Sequence, residues 1–331
     1  MAMKTFQAFR IHDEQGKISA RFEALTLDDL APGDVLVRVT HSGVNYKDAL
    51  AASGAGKILR RYPLVGGIDF AGVIESSGDA RFAAGQSVLV TGCGLSETHD
   101  GGYAEYARVP GDWLVPMPQG LDARAAMSLG TAGFTAALAI HLMQRNEQAA
   151  DSGPIVVTGA TGGVGSIAVD MLAGAGYEVI AVSGKADAAP YLKALGATRV
   201  LAREEIQLGT KPLEAAQFGG AIDNVGGKML AWLTRSVGYR GNIASIGMAS
   251  GPELVTSVMP FILRGVNLLG INSSATPRPL RLAVWNRIAT DLAPRHLGRI
   301  VTSTVAFADL PSAFAPLLEG RIFGRTLVTI R

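Results

Sequence analysis

The sequence predicts an α/β protein in which a doubly wound parallel sheet is inserted into a β-rich domain, and three observations carry that expectation. A charge-free, β-branched run, "PIVVTG" (Pro154 to Gly159), ends in a cluster of glycines that opens a helix with one apolar face. From Ala123 onward, strand-like and helix-like segments alternate, the pattern of parallel strands joined by crossover helices. On either side of that stretch the texture changes to short strands punctuated by Gly and Pro. At 331 residues, 48% of them hydrophobic and 18% charged, the chain is long enough for two separate cores.

The β-rich part comes first. "DVLVRV" (Asp34 to Val39), "FAGVIES" (Phe70 to Ser76), "QSVLVTG" (Gln86 to Gly92) and "GYAEYARV" (Gly102 to Val109) read as strands of one compact domain. A helix follows from Ala123. Later strands are expected near "YEVIAV" (Tyr177 to Val182), "GGAID" (Gly219 to Asp223), "GNIASIG" (Gly241 to Gly247) and "VNLLGI" (Val266 to Ile271). The tail, "VTSTVAF", "LPSAFAPLLEG" and "RTLVTI", returns to strand, short helix and strand, and is read as completing the first domain. The expected division is 1–122 plus 300–331 for the β-rich domain and 123–299 for the inserted one.

The glycine turn holds the first functional signal. Val164, Ile167, Ala168, Met171, Leu172 and Ala175 recur at helical spacing, so a helix leaves the turn that the strand enters. Such a turn presents unpaired N–H groups and the positive end of a helix dipole, a ready phosphate site. Side chains at Gly159, Gly162, Gly163 or Gly165 would hold a pyrophosphate away, and Ala160, Thr161 and Val164 complete the turn. The spacing is G-x-x-G-x-x-G; set between a strand and a helix it favours a dinucleotide over a plain glycine-rich βα turn. No G-x-x-x-x-G-K-[ST] occurs, so ATP is not the expected ligand.

The second strand narrows the dinucleotide. An NAD site carries Asp or Glu there, roughly 20 residues on, whereas this chain has Ser183, Gly184 and Lys185. A carboxylate would repel a 2′-phosphate, while a hydroxyl and an ammonium attract it, so the position argues for NADPH. Arg203, in "VLAREE", comes from the next βα loop toward the same phosphate. The plainer reading of Lys185 and Arg203 is two solvated surface charges.

Composition removes other classes. A net charge of +2 with no basic run interleaved with aromatics gives nucleic acid little support. No apolar span is expected to approach the ~18 residues of a membrane helix, and no signal peptide is read at the N-terminus, so a cytoplasmic protein is expected. The lone Cys93 excludes an internal disulfide.

"GVNYKDALAASG" (Gly43 to Gly54), "PLVGGIDFAGVI" (Pro63 to Ile74), "GGYAEYARV", "GTAGFTAALAI" (Gly130 to Ile140) and "VTGATGGVG" together resemble the medium-chain dehydrogenase/reductase superfamily along essentially the whole chain. "NYKDAL", "GDWLVPMPQGLDAR" (Gly111 to Arg124), "AVSGK", "VMPFILRGV" (Val258 to Val266) and "GRTLV" are similar to its quinone-oxidoreductase-like branch, and within it to the NADPH-dependent acryloyl-CoA reductase group. The resemblance implies a Rossmann domain inserted in a GroES-like catalytic domain. Zinc is tested by the residues themselves. A structural site needs about four Cys and a catalytic one about three Cys, His or carboxylate ligands. One thiol is present, and Gly67, Ile68 and Asp69 stand where zinc-dependent relatives have Gly-His-Glu. Without a Lewis acid, alcohol–ketone interconversion loses its support, and reduction of an activated C=C bond remains.

The resemblance places Tyr46 beside the nicotinamide and the substrate, as proton donor or pocket wall, and gives Asn45 a substrate carbonyl or a cofactor hydroxyl. Lys47 and Asp48 are expected as a surface pair. It further implies cofactor contacts at Asn224 and Val225, at Ile246 and Gly247, at Gly270, Ile271 and Ser273, and at Arg325 on a phosphate. A CoA thioester needs positive charge for its own phosphates, and Lys57, Arg60 and Arg61 are the first candidates, with Arg278 and Arg281 second. The strand "VNLLGI" is expected at a sheet edge and to pair two copies into a homodimer. Two rival readings stay open: a quinone or small enone reductase, and a non-catalytic NADPH-binding protein on the same scaffold.

Overall fold

A computed structural model describes residues 5–331. In chain order its elements are β1 (Phe6–Glu14), β2 (Lys17–Leu25), β3 (Val35–Val44), α1 (Tyr46–Ser53), β4 (Leu64–Val65), β5 (Asp69–Ser77), β6 (Ser87–Thr91), β7 (Tyr106–Val109), β8 (Val115–Pro116) and α2 (Ala123–Arg145). Next come β9 (Ile155–Val157), α3 (Gly163–Gly174), β10 (Val179–Ser183), α4 (Ala188–Ala194), β11 (Arg199–Ala202), β12 (Phe218–Asp223), α5 (Gly227–Ser236), β13 (Val237–Ser245), α6 (Met259–Arg264) and β14 (Asn267–Gly270). The chain ends with α7 (Arg278–Ile288), α8 (Leu297–Ile300), β15 (Val301–Ala306), α9 (Phe314–Leu318) and β16 (Arg325–Thr329).

Two units form. The first holds the residues up to Thr131 together with Ser273–Ala289 and Val301–Arg331. Its larger sheet runs β15-β16-β3-β5-β6-β8 with β7 also on β3, and its smaller sheet runs β2-β1-β4. β3 alternates polar and apolar residues only weakly because it is paired on both edges and mostly buried. The tail does rejoin this unit: β16 pairs antiparallel with β3, setting Thr326 opposite Val44. Phe9 packs edge-on to Phe22 and Tyr103, and Phe314 of α9 closes the same cluster. Each such side chain contributes about 1.5–3 kcal/mol by leaving water.

The second unit comprises Ala132–Asn272 and Thr290–Ile300. Its six strands are all parallel in the order β11-β10-β9-β12-β13-β14. This is the doubly wound Rossmann order, with its reversal between β9 and β12. Val156, Ile180, Val182, Ile243 and Leu233 form the core under the sheet.

Two expectations are corrected. Residues 123–131 and 273–289 cluster with the first unit, whereas 123–299 was expected as one stretch. The reason is polar anchoring: Arg278 donates to the carbonyls of Asp112 and Leu114, and Arg281 to Thr91. Only 290–300 stays with the second unit, where Asp170 of α3 accepts from His296 N (2.9 Å) and its ring nitrogen (2.7 Å). Secondly, α2 is long and apolar enough to cross a membrane by length and composition. It is a core helix, 83% buried over that window, and Gly130 breaks it with φ 53° and ψ −150°.

Candidate functional site

In the second unit, β9 runs into the glycine turn and α3 leaves it. Gly159 has φ +57°, which favours glycine, and a Cβ there would meet Val225 and Asn224 at 3.2 and 3.3 Å. Ala160 N donates to Val182 O (3.1 Å), fixing the turn against β10. Gly162 is the N-cap of α3, exposed and without a side-chain cap, so the first N–H groups of the helix are left for a ligand. Thr161 is buried and Val164 only half-buried. Gly165 serves a different purpose from the one expected: its Cβ would lie 2.4 Å from Gly159 O, so it lets α3 pack on its own turn.

At the ends of β10 and β11 the structure gathers Ser183, Gly184, Lys185 and Arg203. Ser183 Oγ accepts from Lys185 N (3.1 Å) and stands 3.5 Å from Thr161 Oγ1. The Arg203 guanidinium lies against Gly184, whose Cβ would be 3.0 Å from its Cζ. Burial pushes the Lys185 ammonium below its usual pKa, with Asp187 opposing. An anion placed there would restore it.

Asn224 ends β12. Its N donates to Thr158 Oγ1 (3.0 Å) and its Nδ2 to Thr158 O (2.8 Å), while its buried Oδ1 accepts nothing. An orphaned buried acceptor beside an open helix start fits a hydroxyl-bearing, phosphorylated ligand such as a dinucleotide. Sequence reasoning missed the support behind it. Asp223, fully buried, accepts from Thr158 Oγ1 (2.6 Å) and Gly226 N (2.8 Å), and burial raises its pKa. The signal was a carboxylate closing an otherwise apolar strand. Ile246 N donates to Asp223 O, and a Cβ on Gly247 would lie 2.3 Å from Asn224 O. Gly270 is exposed with open space around it, and Ile271 N donates to Ser245 O.

In the first unit, Asn45 caps α1 and Tyr46 is its first residue. Tyr46 is 49% exposed, and its hydroxyl engages no hydrogen bond among the described residues. Asn45 is corrected. Its amide is spent internally: Nδ2 donates to Asp48 (3.0 Å) and Asp69 (2.9 Å), and Oδ1 accepts from Arg325 Nη1 (2.9 Å). No hydrogen-bonding capacity is left over for a substrate carbonyl. Arg325 is also corrected: it donates from Nε and Nη1 to the carbonyls of Ser128 and Val44 as well, its Nη2 is buried without a partner, and at only 3% exposed it is shut away from a cofactor phosphate by burial. Lys47 and Asp48 do not pair. Lys47 meets Glu97, and Asp48 is buried, accepting from Asn45 N and Ile68 N, each at 2.9 Å. Asp69 accepts from Gly43 N and Thr131 N, each at 2.8 Å. With Asn45 amide-bonded, Ile68 apolar and Asp69 saturated, this donor set does not suit a zinc ion.

Lys57, Arg60 and Arg61 are exposed and enter no ion pair among the described residues. The second-choice cations are corrected. Arg281, 1% exposed, holds the carbonyls of Ser273 (3.4 Å) and Ser274 (3.1 Å), and Arg278 is bound to the loop before β8. Both line a cavity of about 540 Å³ with Cys93, Trp113 and Thr276.

Residues 31–119 match the family model of the alcohol dehydrogenase GroES-like domain, and residues 163–289 that of the zinc-binding dehydrogenase. "Putative quinone oxidoreductase YhfP" of Bacillus subtilis is 47% identical over 326 residues, 98% of this chain and 99% of that one. Its structure with NAD bound superposes with a TM-score of 0.96 over 99% of this chain and 100% of that one. Acrylyl-CoA reductase AcuI of Ruegeria pomeroyi is 46% identical over 319 residues, 96% of each chain. The yhdH oxidoreductase of Salmonella enterica in complex with NADP is 46% identical, with a TM-score of 0.95 over 98% of this chain and 100% of that one.

Proposed function

The chain belongs to the medium-chain dehydrogenase/reductase superfamily, in its zinc-independent, quinone-oxidoreductase-like branch, and from that premise we propose that it reduces the C=C bond of acryloyl-CoA to propanoyl-CoA with NADPH. The observation that carries the acceptor is the 46% identity to an acrylyl-CoA reductase along 96% of both chains. NADPH is the cofactor: Ser183, Lys185 and Arg203 gather where an NAD site has a carboxylate, and a relative of 46% identity holds NADP. Gly159 to Gly165 would take the diphosphate, and Asn224, Val225, Ile246, Gly247, Gly270, Ile271 and Ser273 the remainder. When bound, the nicotinamide supplies a hydride to the β-carbon.

The chain's own part is to orient and polarise. Charge grows on the thioester oxygen as the β-carbon is reduced, and a hydrogen-bond donor there lowers the barrier. Tyr46, exposed and with its hydroxyl unspent, is assigned that contact and the protonation of the α-carbon. Lys57, Arg60 and Arg61 meet the CoA phosphates. The enzyme works as a cytoplasmic homodimer. β14 is the outer strand of its sheet, with Leu268 37% exposed, and the same unit exposes Tyr239, Val255, Ile262 and Leu263 by more than half. A monomer by light scattering removes the dimer.

A quinone or small enone as acceptor is the second reading, favoured by the name of the Bacillus relative. Following NADPH oxidation with acryloyl-CoA, free acrylate, crotonyl-CoA and a quinone separates the two. Turnover on acryloyl-CoA that is absent with free acrylate is expected; turnover mainly on the quinone overturns the acceptor.

A further inference from the structure

We propose that Thr158 and Asp223 are positioning residues for the cofactor: through a fixed chain of hydrogen bonds they hold the Asn224 amide so that its Oδ1 is reserved for a hydrogen-bond donor of the bound dinucleotide. The inference rests on the reading of the glycine turn as the NADPH cradle, and it deepens that reading by naming the kind of ligand atom Asn224 takes. It begins with one oxygen. Asn224 Oδ1 is buried and accepts no hydrogen bond, an unfavourable state unless a ligand completes it.

The amide has one permitted orientation. Its Nδ2 donates to the Thr158 carbonyl (2.8 Å), which can only accept. A flip would set two oxygens face to face, so the open position is an acceptor and calls for a donor. The side chain also stands at the turn itself: a Cβ on Gly159 would come 3.3 Å from Asn224 Cβ.

Behind Asn224, the Thr158 hydroxyl has one hydrogen and two neighbours. It donates to Asp223 Oδ1 (2.6 Å) and accepts from Asn224 N (3.0 Å). Asp223 meets only donors among the described residues, namely Thr158 Oγ1, Val225 N (3.5 Å) and Gly226 N (2.8 Å). Although burial raises its pKa, this surround keeps it an acceptor, so it takes the Thr158 hydrogen and turns a lone pair of that oxygen toward Asn224 N. Thr158 therefore holds Asn224 at both its N and its Nδ2. Thr158 and Asp223 are 1% and 0% exposed, out of a ligand's reach, whereas Asn224 is half-buried and is the member of the chain that meets the cofactor.

Calorimetry of NADP+ binding tests this without any substrate, so the identity of the acceptor does not enter. Asn224→Ala is expected to weaken binding about tenfold. Thr158→Ser, which keeps the hydroxyl, is expected to bind like the wild type, and Thr158→Val about threefold more weakly. The double variant, Thr158→Val with Asn224→Ala, is expected to bind no more weakly than Asn224→Ala alone. Additive losses, or equal losses in Thr158→Ser and Thr158→Val, overturn the positioning role. Asp223→Asn carries the same comparison should Thr158→Val fail to fold: its loss is expected to vanish in the Asn224→Ala background, and a loss that persists there overturns the role of Asp223. If Lys185→Ala weakens NADP+ and Asn224→Ala does not, the cradle stands and the inference falls; if neither does, the cradle falls with it. Two analogues identify the donor. The acetylpyridine analogue of NADP+ lacks the carboxamide N–H groups, and adenosine 2′,5′-bisphosphate lacks the nicotinamide half. An Asn224→Ala loss that disappears with the first assigns the carboxamide, one that survives with the second assigns the adenosine half, and one that survives only with the first assigns the nicotinamide ribose.

Discussion

In the second unit, the turn between β9 and α3 ends in free N–H groups beside an Asn224 oxygen that accepts nothing, whereas in the first unit the side chains of Asn45, Asp48 and Asp69 have spent their bonds on one another, on Arg325 and on backbone. The first region is made from backbone with side chains withheld, and it is left unfinished toward a ligand. The second is made from side chains and closed against water. Polar atoms left open at a surface mark where something binds, while polar atoms satisfied in a core mark what holds the binding residue still.

That contrast breaks most visibly at Arg325. Arg325→Met removes the one cation from a buried cluster holding two carboxylates, and a loss of about 3–5 kcal/mol is expected, read as a large fall in denaturant midpoint. Were Arg325 instead at a cofactor phosphate, KM for NADPH would rise with stability nearly kept. Gly165→Ala comes next. A methyl 2.4 Å from Gly159 O forces α3 off its turn, so about 1–3 kcal/mol of stability should go, and NADPH binding by calorimetry should weaken more than tenfold. An unchanged affinity would mean the turn plays no part in the cradle.

Smaller effects sharpen the open side of the comparison. Lys185→Ala and Arg203→Ala should each lower kcat/KM for NADPH by roughly tenfold while leaving NADH nearly untouched, the exposed Arg203 giving the weaker effect. Equal losses with both cofactors would return these cations to the solvated surface. Tyr46→Phe should cost at least about threefold in kcat/KM with the fold unchanged; a smaller loss reduces Tyr46 to a wall of the pocket. Stability should also depend on pH through Asp48. Its folded pKa lies above the unfolded value, so its contribution is complete below about pH 4 and fades as pH rises to about 7. Asp48→Asn should remove that slope in thermal melts.

The glycine turn, the absence of a carboxylate after β10 and the returning tail were legible because each is local. A φ of +57° at Gly159, or a hydroxyl and an ammonium in place of an acid, shows in consecutive residues. Gly165 was legible as a required glycine, though the atom it avoids is Gly159 O and not a phosphate. Asp223 behind Asn224, Arg281 under the Ser273 loop and Arg325 beside Asn45 were not legible in the same way. Each has a partner far along the chain, Thr158 at 65 residues from Asp223, Thr91 at 190 from Arg281 and Asn45 at 280 from Arg325, and a charged side chain reads the same in a sequence whether it faces solvent or a buried carbonyl.

The sequence by itself determined the class of fold, the strand–turn–helix unit and the preference for a 2′-phosphate, since periodicity, backbone freedom and charge sign act over a few neighbouring residues. Only the tertiary structure decided which polar residues were free to meet a ligand. Burial and hydrogen-bond closure belong to surfaces brought together by the whole chain, and these turned Asn45 and Arg325 from candidates for contact, and Asp48 from an expected surface residue, into a buried cluster at the head of α1.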